Sequence, residues 1–488
     1  MSSGPVSVTV SVSRFSPEKE SAPHLESYTV QVPAGCTVLT VLETIRDTID
    51  PSLSFRHCCR SAQCGSCAVR VNGEPALACE KQAADGDIIE PLNLPVTRDL
   101  VCDIAPIIKR FGSLTPDACG FHSITDAELE KIKPLRECIE CLSCVSVCPA
   151  VGGYAGPAIF AKEARISFDP RNMEDRIPIA VEKGLFSCTT CRKCVEVCPK
   201  HINIPGKAIE KLREKAVAAG FGLPAHATLA DLIEKTGRSV SGKDTFLETA
   251  EEVYEPAEGV PFKGTVGFFV GCMFNARVQQ PAADTVFVLT RNGYRVIIPK
   301  TQVCCGSPLI RTGFTNIIPE LQKKNIAAFA GTDTVITVCA GCGSTLKNDY
   351  TTPFTVYDIT EFLVKEGFEI PEAVSGTYTY HDPCHLLRGQ GIGKEPREIL
   401  TSFTRSFIDL KAQCCGAGGG VRSGKPDEAE EIGKRRAEMI KNTGADTVVT
   451  VCPFCEYHIH QTTGLPVVNI VSLMAEGYRR KDELKKRG

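Results

Sequence analysis

The sequence predicts a multidomain protein of mixed α/β and α+β class, on three observations. Alternating apolar runs and helical periodicity succeed one another along the 488 residues, so neither element type dominates. The 26 cysteines fall mostly into C-x2-C, C-x4-C and CC groups rather than being scattered. One five-cysteine pattern is also written twice in the C-terminal half, which predicts two pseudo-symmetric lobes.

The length allows two to four domains, each with its own core. Apolar residues make up 43% and charged residues 23%, as in ordinary globular proteins. A net charge of −3 gives no bulk attraction to nucleic acid or an anionic membrane. No apolar run approaches the roughly 18 residues of a transmembrane helix. The opening MSSGPVSVTVSVSRF alternates like a strand and lacks a basic-then-apolar signal. A soluble cytoplasmic protein is expected, with no membrane or nucleic-acid partner. Disulfides suit small secreted domains, so the cysteine groups read as soft-metal sites. Iron–sulfur clusters are the leading reading, and zinc at some sites is the alternative.

Residues 1–107 are expected to form a β-grasp [2Fe-2S] ferredoxin domain. Strands are expected at Val6–Phe15 and Tyr28–Val32, then a helix from Val38 to Asp47 carrying Leu39, Leu42 and Ile45. In FRHCCRSAQCGSCAVRVNGEPALAC, counting from Cys59 gives C-x4-C-x2-C, the plant-type spacing, at Cys59, Cys64 and Cys67. The Asn-Gly of AVRVNG predicts a hairpin that brings Cys79 back as fourth ligand. Small residues in the loop let its backbone close on inorganic sulfide. Cys58 is the rival for the first position, but only Cys59 gives the spacing.

Residues 108–262 are expected to form an α-helical domain for two [4Fe-4S] cubanes, followed by a linker. CIECLSCVSVCP and CTTCRKCVEVCP are complete C-x2-C-x2-C-x3-C-P runs. The fourth cysteine of each such run ligates the other cluster. This predicts one set of Cys138, Cys141, Cys144 and Cys198, and another of Cys188, Cys191, Cys194 and Cys148. Helices are expected at Ala208–Ala219 and Ala227–Lys235.

Residues 263–375 and 376–488 are the two copies. The first places cysteines at Cys272, Cys304, Cys305, Cys339 and Cys342, the second at Cys384, Cys414, Cys415, Cys452 and Cys455. GTVGFFVGC, YRVIIP and DTVITVC read as strands, as do YTYHDPC, SFIDL and DTVVTVC. Helices between them are expected at PAADTVFVLTRNG, Glu320–Phe329, Pro396–Phe403 and Asp427–Thr443. The cysteines thus sit at the C-terminal ends of strands, where α/β folds carry their sites, on a parallel or mixed sheet. Structural zinc on a C-x2-C pair is the plainer reading of one lobe. His381 and His385 flank Cys384; a hydrogen bond to a metal site and plain strand packing are both open for them. Arg311, Arg388 and Arg422 lie near cysteine loops and suit either an anionic ligand or a solvated surface. Gly306, Gly341, Gly343, Gly416 and Gly418–Gly420 read as loop formers rather than a phosphate cradle. These assignments use every cysteine except Cys36, Cys58, Cys102 and Cys119, read as structural thiols.

Residues 1–215, with the plant-type run before the paired runs, resemble the iron–sulfur subunits of succinate dehydrogenases and fumarate reductases. Those subunits usually lack one cysteine of the second run, whereas Cys191 is present here. They also place a tryptophan by the third cluster, and this chain has none. Both departures weaken a quinone-facing role. The resemblance implies an FAD-bearing flavoprotein as partner, like that of succinate dehydrogenase. The C…CCG…C-x2-C copies resemble the cysteine-rich (CCG) repeat of heterodisulfide reductase catalytic subunits. That resemblance implies two noncubane [4Fe-4S] clusters, one on Cys272, Cys304, Cys305, Cys339 and Cys342, the other on Cys384, Cys414, Cys415, Cys452 and Cys455, with thiol chemistry at them. The fusion as a whole resembles the thiol-driven fumarate reductases of methanogens. It implies oxidation of coenzyme M and coenzyme B to their heterodisulfide, with electrons passed through the clusters to the flavin, where fumarate becomes succinate. A second reading is an electron-transfer subunit of a soluble succinate or 2-hydroxyacid oxidoreductase without a thiol substrate. A third is an electron-transfer module whose lobes hold zinc or a degenerate cluster. Which lobe meets substrate is left open.

Overall fold

Two lengths of β-structure differ in kind, an antiparallel-rich sheet near the N-terminus and two parallel sheets near the C-terminus. The computed structural model describes residues 4–112 and 123–487; Cys119 lies outside them. The chain divides into two units. One holds residues up to Cys148 with Ala155–Leu185 and Arg192–Leu212; the other holds Pro149–Tyr154, Phe186–Cys191 and Arg213 onward.

In the first unit, the expected opening strands pair along their whole length as Pro5–Arg14 and His24–Pro33, from Pro5 opposite Pro33 to Arg14 opposite His24. Period-two alternation decides which side is buried. Val8, Val10 and Val12 face inward with Tyr28, Val30 and Val32, while Thr29 and Gln31 face out. The five-stranded sheet continues through Ile88–Glu90, Ala68–Val71 and Glu74–Leu77. Helix Val38–Thr48 buries Val38, Leu39, Val41, Leu42 and Ile45, and the Thr37 side chain accepts from the Thr40 amide to start it. Asn72 and Gly73 both have left-handed φ, 53° and 79°, making the expected tight hairpin. The hairpin returns the chain to Cys79.

The helical part of this unit includes Asp126–Arg136, started by a reciprocal Thr125–Glu128 capping box, and Pro157–Ser167. The fully buried Glu163 is paired with Arg176 at 2.6 Å, so its charge is not left alone in a low dielectric. Two four-residue helices, Ser143–Ser146 and Lys193–Glu196, follow the second cysteine of each run.

In the second unit each lobe carries a sheet with one strand order. The first lobe runs Thr355–Asp358, Thr334–Thr337, Gly264–Phe269 and Tyr294–Ile297, all parallel, with Val253–Tyr254 antiparallel at the edge. The second runs Val467–Asn469, Thr447–Thr450, Val374–Tyr380 and Thr404–Ile408, all parallel. The expected helices are Gln280–Arg291, Ile318–Ala328, Glu395–Phe403 and Pro426–Lys441. Gly293, at φ 94°, ends the first of these in a turn that a side chain would resist. One apolar cluster runs through both lobes, from Val266 and Phe268 to Val448, Val449 and Tyr478. Helix Ile470–Arg487 of the second lobe packs on Gln280–Arg291 of the first, with Arg291 bonded to Asp482 at 2.6 Å and Asn292 to the Tyr478 hydroxyl at 3.2 Å. A continuous core makes the lobes one body, so loops from both converge at a fixed spacing. Among the described residues no helix is long and apolar enough to cross a membrane.

Candidate functional site

The described cysteines form no disulfide. They gather instead where sulfur atoms meet backbone N–H groups or one another.

In the sheet domain the Cys59 sulfur accepts from the amides of Ser61, Gln63 and Cys64 at 3.3–3.5 Å, and the Cys79 sulfur from Ala62 at 3.3 Å. Those amides, first that of Ser61, hold the Cys59 thiol down to about 6. The loop therefore wraps Cys59, while Cys58 points to solvent. Arg60 and Ala62 adopt left-handed φ of 56° and 54°. Each such residue costs about 1–2 kcal/mol, a strain that turns N–H groups toward the sulfurs. Cys67 lies on the buried side, where desolvation pushes its thiol up to about 12. Gly65 is where this loop meets the next cysteine run. A Cβ there would lie 2.6 Å from the Ile139 carbonyl oxygen and 2.9 Å from the Cys141 Cα.

In the first unit Cys138, Cys141, Cys144 and Cys198 line one small pocket with Leu142 and Ile202. Burial raises the Cys138 thiol to about 11 and drives Cys144 well above its ordinary value, with neighbouring sulfurs adding to both. Glu140 and Leu142 have φ of 52° and 63°; Thr190 and Arg192, at the same places in the second run, have 51° and 62°. The same strain at the same positions means both runs coil alike around what they hold. Of the second expected set, Cys148 and Cys194 belong to the first unit and Cys188 and Cys191 to the second.

The two lobes meet at a cavity of about 480 Å³ lined by all ten of their cysteines. In the first lobe the thiols form a string in which Cys304 meets Cys272 and Cys305, and Cys342 meets Cys305 and Cys339. The Cys305 and Cys342 sulfurs are 3.4 Å apart. In the second, Cys384 meets Cys414, and Cys455 meets Cys415 and Cys452, with 3.5 Å between the Cys415 and Cys455 sulfurs. Within each string the thiols split. Cys305 and Cys415 are driven well below the ordinary thiol range by neighbouring thiols that donate to them, while Cys304, Cys342, Cys414 and Cys455 are driven well above it. Buried thiolates in contact cannot all carry charge unless a cation sits among them. Soft-metal iron meets that requirement, and five thiols per lobe exceed the four a tetrahedral zinc takes.

The flanking residues take definite places. Arg311 and Arg422 line the cavity; Arg311 pairs with Asp349 at 2.7 Å, and Arg422 stacks 4.2 Å over Tyr457 and bonds to Gln461. Arg388 approaches the Cys384 sulfur at 3.7 Å, His385 lines the cavity, and His381 is fully buried beside Cys415.

The glycine run of the second lobe has a packing role. Cβ atoms at Gly418 and Gly419 would collide with the backbone of Cys188 and Thr189, and one at Gly420 with Thr312 at 2.5 Å. The Cys188–Cys191 turn is thereby seated on the second lobe. Thr189 Oγ1 lies 3.5 Å from the Cys414 sulfur, and Cys191 reaches both Cys384 and Cys414. The first lobe has Pro308, Leu309 and Ile310 where the second has this run.

Arg213 carries no motif that would mark it in the sequence. It is fully buried and donates to the carbonyls of Arg311 at 2.6 Å, Gly419 at 2.8 Å and Cys188 at 2.8 Å, while stacking over Phe186. One guanidinium thus ties three cysteine loops. Its only sequence signal is an arginine within an ordinary helical stretch.

Sulfur-lined loops of this kind, on a ferredoxin-type sheet, a helical dicluster segment and a duplicated strand–helix pair, define an iron–sulfur oxidoreductase component. Residues 9–109 match the 2Fe-2S iron-sulfur cluster binding domain family, 134–202 the 4Fe-4S dicluster domain, and 266–347 and 378–460 the cysteine-rich domain. The B subunit of the fumarate reductase (CoM/CoB) of Methanothermobacter marburgensis is 44% identical over 96% of this chain and 99% of its own length. The chain belongs to that family. An iron-sulfur protein of Methanocaldococcus jannaschii is 46% identical over the same shares. The D subunit of the dihydromethanophenazine:CoB–CoM heterodisulfide reductase of Methanosarcina acetivorans is 34% identical over 40% of this chain and 54% of its own length. The fumarate reductase iron-sulfur subunit of Mycobacterium tuberculosis is 36% identical over 34% of this chain and 74% of its own. A crystal structure of a hypothetical protein from Helicobacter pylori shares the fold, with a TM-score of 0.61 at 13% identity over 98% of this chain and 95% of that one.

Proposed function

We propose that the chain oxidises the thiols coenzyme M and coenzyme B to their heterodisulfide in the cavity between the cysteine-rich lobes, and sends the electrons to a flavin-bearing partner that reduces fumarate to succinate. One observation carries this reading: all ten lobe cysteines line a single cavity, while Cys191 lies against Cys384 and Cys414 on its second-lobe side. The reaction itself comes from the names of the relatives, whose match spans nearly the whole chain.

In this reading Cys59, Cys64, Cys67 and Cys79 hold a [2Fe-2S] cluster, and the two C-x2-C-x2-C runs hold cubanes in the crossed sets predicted by their spacing. Each lobe's five cysteines hold a noncubane [4Fe-4S] cluster. When bound, the clusters supply iron for substrate sulfur and one-electron carriers toward the partner's FAD. Two thiols give one disulfide, two protons and two electrons, so paired one-electron sites suit the stoichiometry.

The chain's own residues prepare the place. Phe274, Met273, Phe454 and Pro453 give the cavity apolar walls that exclude water. Arg422, bonded to a neutral glutamine and to no carboxylate among the described residues, offers its charge to an anionic coenzyme end, whereas Asp349 neutralises Arg311.

The test is to incubate the purified complex, anaerobically, with both thiols and fumarate and to follow succinate. Succinate formed only when both thiols are present is expected. None, with clusters and flavin fully loaded, would refute the thiol reaction and leave succinate or 2-hydroxyacid turnover as the activity to assay.

A further inference from the structure

The two lobes repeat each other in strand order and cysteine placement, but not in what is buried behind the cysteines. Three residues before Cys384, at the end of strand Val374–Tyr380, stands His381. Three residues before Cys272, at the end of strand Gly264–Phe269, stands Phe269. His381 is fully buried, its backbone held by its amide bonded to the Val449 carbonyl at 2.9 Å and its carbonyl accepting from Thr450 at 3.1 Å. The Nε of Arg436, itself 1% exposed, donates to His381 Nδ1 at 3.1 Å. With Nδ1 accepting, the ring proton of the neutral imidazole must sit on Nε2. Nε2 is fully buried and has no hydrogen-bond partner among the described residues. His381 contacts the Cys415 sulfur, and its ring nitrogen lies within 4.8 Å of the Cys415 and Cys455 sulfurs.

Arg436 is held on its other side by the Lys411 carbonyl at 2.7 Å, so a guanidinium charge is fixed behind the imidazole. The first lobe has no histidine at this place, and its own buried cation, Arg311, which adds to the neighbouring thiols in lowering the Cys305 thiol, is paired with Asp349 at 2.7 Å. Phe269 packs on Phe329 with ring centroids 6.0 Å apart. On helix Ile318–Ala328 behind the first lobe's cysteines, Asn325 donates to the Cys304 carbonyl and the Tyr350 hydroxyl.

We infer that His381 and Arg436 are positioning residues that set a higher reduction potential on the second-lobe cluster than on the first. This rests on the reading that both lobes hold clusters. The reason is electrostatic. Reduction adds negative charge to the cluster sulfurs. A buried N–H beside the Cys415 and Cys455 sulfurs, with a cation behind it, stabilises the reduced form, and an aromatic ring does not. The higher potential falls on the lobe that seats the Cys188–Cys191 turn, so a one-electron transfer from first lobe to second runs downhill toward Cys191. That transfer makes and breaks no bond, and thiol oxidation supplies its electrons.

The test is an EPR-monitored redox titration of the anaerobically purified complex, with iron and acid-labile sulfide measured on each sample. In His381→Phe, which copies the first lobe, the higher-potential of the two noncubane signals is expected to shift downward. The expected shift is at least tenfold in the oxidised-to-reduced ratio at a fixed potential, about 59 mV for a one-electron couple. The lower-potential signal stays in place. His381→Gln keeps an N–H donor and is expected to recover part of the shift, which lost packing alone would not do. Arg436→Gln is expected to move the same signal downward and carries the test if His381→Phe loads poorly. Full loading with no shift, an equal shift of both signals, or a shift of the lower-potential one would overturn the inference. If the unaltered complex lacks the two signals and the iron for them, the cluster reading fails, and the inference with it.

Discussion

Replacing Arg213 by methionine tests whether the cysteine loops form one rigid assembly. The guanidinium has three carbonyl acceptors, on Arg311, Gly419 and Cys188. Methionine keeps the apolar stem but leaves those acceptors without that donor in a buried place. Leaving a buried acceptor unsatisfied costs about 1–3 kcal/mol each, so three give roughly 3 kcal/mol at the low end. For a unit this large, at about 2.1 cal/mol/K of unfolding entropy per residue, that corresponds to a Tm fall of about 5 °C. Because the loops carry Cys188, the CCG cysteines and the glycine run, iron content should fall along with stability. Arg213→Lys keeps the charge without the planar fork and should fall between the two. The assay is thermal denaturation of the complex with iron counted before heating. Arg213→Met within ~0.5 kcal/mol of the unaltered protein, the range of an ordinary surface change, would refute the idea that Arg213 ties the loops together.

Three further outcomes are expected. Gly65→Ala puts a Cβ 2.6 Å from the Ile139 carbonyl at a left-handed φ of 69°; with about 1–2 kcal/mol for the backbone alone, it should lower the Tm and slow electron exchange between the [2Fe-2S] centre and its neighbour in freeze-quench EPR. Burial holds His226 below its ordinary value of 6.5, with Nε2 2.8 Å from the Gly420 carbonyl. The unfolded chain therefore takes up the proton first, so stability is full above 6.5 and falls as pH drops below it. Chemical denaturation across pH 5–7.5 should show that slope, and His226→Gln should flatten it. Gly419→Ala drives a methyl group into the Cys188 carbonyl and should displace the Cys188–Cys191 turn, read as lost iron and altered EPR of one cubane with the [2Fe-2S] signal unchanged.

Much of the molecule was legible in order along the chain, because its signals are local. C-x4-C-x2-C and C-x2-C-x2-C-x3-C-P place sulfurs within one loop, where a few φ values decide the geometry. Asn72–Gly73 makes its hairpin with its neighbours alone. Period-two runs from Pro5 to Pro33 and the strand–helix alternation of the lobes follow the same logic, since alternation already says which side is buried. The repeated C…CCG…C-x2-C pattern announced two like lobes.

The lobes' difference was not legible, because it depends on residues that meet only after folding. Arg213 finds its three carbonyls on loops up to 206 residues away. Arg436 reaches His381 across 55 residues, and nothing near either one marks the pair. Gly418–Gly420 read in the sequence as loop formers, and only the fold presses the Cys188–Thr189 backbone against them. A duplication fixes what two lobes share through local spacing; long-range packing alone decides which lobe receives the Cys191 turn and which has a buried histidine backed by arginine behind its sulfurs.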